Sequence, residues 1–112
     1  MPRQRRTASN DRFHLASRKD EDAVELRLAG DLDMAATFEV EPEFDRLVAG
    51  GDVRRVVLDV ADVDFIDSAG LGTLLSIRER TSQLGIDMAL VNVSHPVRRI
   101  LDLSGSSVLL PD

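Results

Sequence analysis

The chain has no cysteine, no tryptophan and no tyrosine, and Lys19 is the only lysine among its 14 basic residues. Without cysteine there are no disulfides, no thiolate zinc sites and no cysteine nucleophiles, which fits a reducing compartment and makes the cytoplasm the expected location. No apolar run approaches the roughly 20 residues that cross a bilayer, so no membrane partner is expected. The opening residues lack the apolar stretch of a signal peptide. The scarcity of lysine supports no function. A formal charge of −6 argues against direct nucleic-acid binding, because phosphate affinity needs clustered lysine and arginine, and only Arg3, Arg5 and Arg6 cluster. A protein partner fits this surface better.

What the chain does contain is the mixture of an ordinary globular domain, 43% hydrophobic and 30% charged over 112 residues, enough for one core. Residues 1–11 are polar, have no apolar periodicity, and are expected to be a disordered tail ahead of a domain spanning 12–112. Phe13 and Leu15, then Val24, Leu26 and Leu28, alternate with polar neighbours as half-buried strands do, with a turn over 19–22 between them. Ala36, Val40, Phe44, Leu47 and Val48 share a helical face that Asp33 is placed to cap. Pro42 falls inside this helix and predicts a kink or a break. Residues 53–60 read as a central strand covered on both faces. Residues 69–84 form a second helix with Leu71, Leu74, Leu75 and Ile77 inward, closed by Gly85. A strand over 86–93, a third helix from Pro96 to Gly105 and a short strand over 108–110 complete the order β, β, α, β, α, β, α, β. The fold class is α/β, a single domain with helices packed on a mixed sheet.

The segment Asp67-Ser68-Ala69-Gly70-Leu71-Gly72, following Phe65-Ile66 at the head of the second helix, is the most unusual local feature. Two glycines so close to a helix start suggest close approach of another group to the backbone. Free amides and the helix dipole there favour an anion, so a phosphate on Ser68 would be well placed. The plainer reading makes Ser68 a helix cap and the glycines packing relief. Enzymatic motifs fail: the lysine and spacing of a phosphate-binding loop are absent, residue 66 is not the glycine of a nucleophile elbow, and Leu75 replaces the third glycine of a dinucleotide fingerprint. Neither His14 nor His95 has a sequence reason to serve Ser68 as a base, so no catalytic residue is assigned. Asp31, Asp33, Asp59, Asp62, Asp64 and Asp67 gather near strand ends, but without a complete calcium-loop pattern they read as loop charge, and neither metal nor cofactor is expected.

Taken together, these residues resemble a known family. Phe65 to Gly72 is similar to the phosphorylation loop of STAS-domain anti-sigma factor antagonists, written D-S-[ST/A]-G-L-G. Gly30-Asp31-Leu32-Asp33 resembles that family's G-E-[LI]-D, and Pro96 to Gly105 its third-helix pattern, so the resemblance covers about residues 12–110. It implies a partner-switching module rather than an enzyme. The unmodified protein binds an anti-sigma factor that is also a serine kinase, freeing the sigma factor. Phosphorylation of Ser68 ends that binding, and a serine phosphatase restores it. The resemblance makes Ser68 the phosphoacceptor, Asp33 the acidic neighbour shaping the kinase encounter, and Asp31, Asp33, Asp67, Ser68, Ala69, Gly70, Leu71 and Gly72 the partner-binding residues. ATP belongs to the kinase.

Two departures stand out. Asp31 replaces the family's usual glutamate, keeping the charge and shortening the reach. The family's usual last helix has no counterpart in a sequence that stops at Pro111-Asp112, through true absence or truncation, and either case predicts exposed apolar surface near the final strand and weak self-association. Three rival readings are a scaffold or regulator of a stress-signalling complex, built on the same fold, a small nucleotide-binding enzyme using the strand-end carboxylates, and a STAS domain cut from a membrane anion transporter, which no transmembrane segment here favours.

Overall fold

A computed structural model describes the backbone of residues 4–9 and the whole of residues 12–106. The elements are β1 (Gln4–Ser9), β2 (Phe13–Asp20), β3 (Ala23–Leu32), α1 (Met34–Val48), β4 (Arg55–Ile66), α2 (Ser68–Leu84), β5 (Asp87–Val91) and α3 (His95–Ser104). They build one mixed sheet in the order β1-β2-β3-β4-β5. β1, β2 and β3 pair antiparallel, while β3–β4 and β4–β5 are parallel. The α/β class read from the sequence holds.

Alternation decides which face of the sheet is covered. Phe13 and Leu15 on β2, Val24, Leu26 and Leu28 on β3, and Val56 and Leu58 on β4 are all buried, whereas His14 and Arg27 are exposed. The crossovers β3-α1-β4 and β4-α2-β5 step across the sheet in one direction. Right-handedness therefore lays α1 and α2 side by side on the same face. Ala36, Val40, Phe44 and Leu47 of α1, with Leu71, Leu74 and Ile77 of α2, close the core against it. Arg80 of α2 locks the pair laterally, ion-paired to Asp45 and stacked 4.8 Å from the centre of the Phe44 ring.

Several expectations need correction. Within the expected disordered tail, residues 4–9 are β1, paired along β2 from Gln4↔Lys19 to Ser9↔His14. Pairing at a sheet edge uses main-chain groups, so it leaves no apolar period in the sequence to read. The central strand is not covered on both faces, since Val57 points to the open side and is only half-buried. It also runs on to Ile66, well past residue 60. Leu75 is exposed rather than inward. The expected strand over 108–110 lies outside the described residues.

Pro42 does not break α1, which continues from Met34 to Val48. The residue sits on the exposed side, not on the apolar face, and the Phe38 carbonyl it leaves without an amide belongs to a residue that is itself 74% exposed. Water can meet that carbonyl, so the helix survives the lost bond. A proline in a helix interior still costs about 3 kcal/mol in the general case. Pro42→Ala is therefore expected to raise unfolding stability by about 1–2 kcal/mol, read as a higher urea midpoint at unchanged slope.

Candidate functional site

The site grows from the register of two parallel strands. Asp31 pairs with Phe65 and Leu32 with Ile66, so β3 and β4 leave the sheet together, and each is followed directly by one aspartate and a helix. Gly30 makes the exit of β3 geometrically accessible. It adopts φ +90, and a Cβ there would stand 2.1 Å from the Arg12 carbonyl oxygen, which accepts the Asp31 amide at 2.7 Å.

Asp33 and Asp67 then do the same job on neighbouring helices. Asp33 Oδ1 accepts the Ala36 amide at 3.1 Å, and Asp67 Oδ1 accepts the Gly70 amide at 2.9 Å. The cap of α2 is thus Asp67, not Ser68, and the plainer reading of Ser68 as a cap is set aside. Asp33 caps α1 as its position in the sequence predicts.

The first turns of the two helices are also fastened to each other. The hydroxyls of Thr37 and Thr73 meet at 2.5 Å, each within 3.2 Å of the carbonyl oxygen one turn earlier, Asp33 and Ala69 respectively. Thr73 is buried. The sequence reading missed both threonines. Their signal is weak but present, one threonine in the first turns of each helix on the side that meets the other.

The two glycines of the motif have different reasons. A Cβ on Gly70 would fall 2.0 Å from the Leu32 carbonyl oxygen and 3.0 Å from Ile66 Cγ1, so only glycine lets α2 start against the end of β3. The Asp67 amide donates to that same Leu32 oxygen at 3.4 Å. On Gly72 a Cβ would meet nothing within 4 Å. Glycine inside a helix costs about 1 kcal/mol relative to alanine, and the fold gains no contact in return at Gly72.

The residues expected to meet a partner consequently divide. Gly70 and Leu71 are buried and belong to packing, since helical geometry turns them toward the sheet. Asp31, Asp33, Asp67 and Ala69 are half-buried, while Ser68 and Gly72 are exposed. Ser68 is the first residue of α2, and its hydroxyl has no partner among the described residues. Nor do its amide and that of Ala69 have an acceptor among the described residues, so two donors point out of the helix start beside an open hydroxyl.

The remaining carboxylates do not join this group. Asp62 and Asp64 are exposed. Asp59 is buried and structural, accepting the Ala61 amide at 3.0 Å and Asn92 Nδ2 at 3.1 Å, with Arg27 Nε 3.8 Å away. The histidines are exposed on β2 and at the start of α3, and neither hydrogen-bonds to Ser68. A hydroxyl without a neighbouring base is not activated for nucleophilic catalysis, but it is open to modification by another enzyme.

Comparison with known proteins points the same way. The STAS domain profile matches residues 14–110. The chain is 34% identical over 86 residues to the anti-sigma F factor antagonist of Paenibacillus polymyxa, covering 77% of this chain and 74% of that protein. Among solved structures it superposes on the anti-sigma factor antagonist SpoIIAA in its unphosphorylated form with a TM-score of 0.73 at 21% identity, covering 97% of this chain and 87% of that one. The phosphorylated form of SpoIIAA, from Bacillus, gives a TM-score of 0.68 at 20% identity over 97% and 90%.

Two substitutions separate the structural roles within the motif. Gly70→Ala drives a methyl group into the Leu32 carbonyl and is expected to destabilise the fold by about 2 kcal/mol or more. Asp67→Ala removes one cap and is expected to cost about 1 kcal/mol. Urea unfolding of both variants checks the order, and equal stability of Gly70→Ala and the parent chain would contradict the close approach.

Proposed function

We infer the function of this chain from the family it belongs to, the STAS-domain anti-sigma factor antagonists, and from one observation in its structure. That observation is the exposed Ser68 hydroxyl at the start of α2, without a partner among the described residues and set among neighbours already committed to holding the helix. The unphosphorylated protein binds an anti-sigma factor that is itself a serine kinase and so frees the sigma factor. Phosphorylation of Ser68 ends the binding, and a serine phosphatase resets it.

The chemistry asks little of this chain. Ser68 Oγ attacks the γ-phosphorus of the kinase-bound ATP, ADP leaves, and the hydroxyl proton passes to a base on the kinase. The substrate contributes only an accessible oxygen in a fixed position, which the capped first turn of α2 provides. Once attached, the phosphate adds about −1.5 to −2 charges and three acceptor oxygens. The free amides of Ser68 and Ala69 can hold part of it, so the domain has no reason to unfold. The surroundings already carry Asp31, Asp33 and Asp67, and the added charge makes the surface strongly anionic. A partner that docks on the unmodified face then meets a desolvated charge it does not match. Two structures of SpoIIAA, one unphosphorylated and one phosphorylated, both share this fold, in keeping with a switch that works by charge rather than by refolding. Among the described residues no helix is long and apolar enough to cross a membrane.

The test is incubation of the purified chain with each anti-sigma factor serine kinase of its source genome and Mg-ATP, followed by intact mass, site mapping and a binding titration. One phosphoryl group on Ser68 and at least a tenfold loss of affinity, about 1.4 kcal/mol, are expected. Ser68→Ala should bind and resist modification, and Ser68→Asp should bind weakly. Phosphate on another residue, or equal affinity of the two forms, would refute the switch.

A further inference from the structure

We propose that Met34, Phe38 and Gly72 form a docking face on which an apolar patch of the anti-sigma factor sits, beside Ser68 but distinct from it. The proposal rests on the partner-switching reading and names the part of the surface that supplies affinity, as opposed to the part that switches it.

The face is defined by what each helix turns away from the sheet. In α1 the buried positions are Ala36, Val40, Phe44 and Leu47, so Met34 and Phe38, four residues apart, share the opposite side. They are 63% and 74% exposed. In α2 the buried positions are Gly70, Leu71, Thr73, Leu74, Ile77 and Thr81, and Gly72 lies on the outer side. The Thr37–Thr73 contact joins the helices at this level, with Phe38 next to Thr37 and Gly72 next to Thr73. Phe38 and Met34 therefore rise along one helix while the neighbouring helix offers bare backbone.

An aromatic side chain exposed over most of its area and a helical glycine that no packing requires are both unfavourable or neutral for the isolated fold. Both become useful if a second surface lies flat against α2 and takes Phe38 into a pocket, the arrangement in which aromatic residues dominate binding. Leu75, at 36% exposure, extends the apolar strip along α2. The occupant is specified by charge as well. Asp31, Asp33 and Asp67 lie at the helix starts next to this strip, and the chain carries a net charge of −6, so the matching patch is apolar and flanked by arginine or lysine. Phosphate on Ser68 falls at the border between the strip and these carboxylates.

The experiment uses the purified kinase found to modify Ser68. Gly72→Leu places its Cβ where no atom lies within 4 Å and replaces glycine with a strong helix former, so its melting temperature should rise by roughly 2–6 °C. Its affinity for the unphosphorylated-state partner should fall at least about tenfold. Phe38→Ser should lose binding to a similar extent, whereas Leu84→Ser, at a leucine 57% exposed at the far end of α2, should bind as the parent does. If Gly72→Leu and Phe38→Ser stay within about threefold of the parent while phosphorylation still weakens binding, the docking face is elsewhere and the switch stands. If the two variants alter self-association in light scattering and leave kinase binding unchanged, the face belongs to a second copy of this chain and the proposal fails. If the parent binds no kinase, the partner-switching reading fails and takes this inference with it.

Discussion

The carbonyl oxygen of Leu32 stands between two helix starts. It ends β3 one residue before the cap of α1, accepts the amide of Asp67 at the cap of α2, and sits where a Cβ of Gly70 would have to go. This contact fixes α2 against the end of β3 at a spacing no larger residue permits. Everything on the exposed end of the molecule inherits its position from it. Because β3 and β4 end in register, the caps Asp33 and Asp67 fall side by side, and because the helices begin side by side, Thr37 and Thr73 can close the gap between them. Ser68 is held one residue beyond the cap, with its backbone constrained and its side chain open.

Such an arrangement separates rigidity from reactivity. A phosphoacceptor on a mobile loop would have to be ordered by the kinase on each encounter, at the entropic cost of immobilising several residues. Here the first turn of α2 is already ordered by one cap, one interhelical hydroxyl contact and the packing of Gly70. The same pre-organisation would limit what a phosphate on Ser68, as proposed, could do to the domain itself. With the structural hydrogen bonds made by Asp67, Thr37 and Thr73 rather than by Ser68, adding charge to Ser68 Oγ breaks none of them. Under the proposed switch a phosphate on Ser68 would therefore have to be read by a partner, as an electrostatic change in the surface.

Most of the fold was legible because burial on one face leaves a period. The alternation in β2 and β3, the 36-40-44-47 stripe of α1 and the glycine stops at Gly85 and Gly105 all reflect local geometry that composition cannot hide. β1 was illegible for the converse reason: main-chain pairing at an edge needs no apolar side chain. Pro42 was misread because its effect depends on whether solvent reaches the backbone around Phe38, which a run of residue types does not reveal. At the site, the capping role of Asp33 followed from its place before a helix, but the roles within residues 67–72 did not separate. A run of six residues contains fewer than two helical turns, too little for a period to show.

That short run is better understood as two interleaved stripes. Asp67, Gly70, Leu71 and Leu74 repeat at three- and four-residue spacing on the inner side, and each is used by the fold as a cap, a close approach or core. Ser68, Gly72 and Leu75 repeat at the same spacing on the outer side and are exposed; a Cβ on Gly72 would meet nothing within 4 Å. Loss of an inner member acts on stability, and every property of the protein then changes with it. An outer member can be altered while the inner stripe continues to fix the helix. A residue whose charge or shape is to change has to be of the second kind, since only there can the change occur without passing through the folding equilibrium.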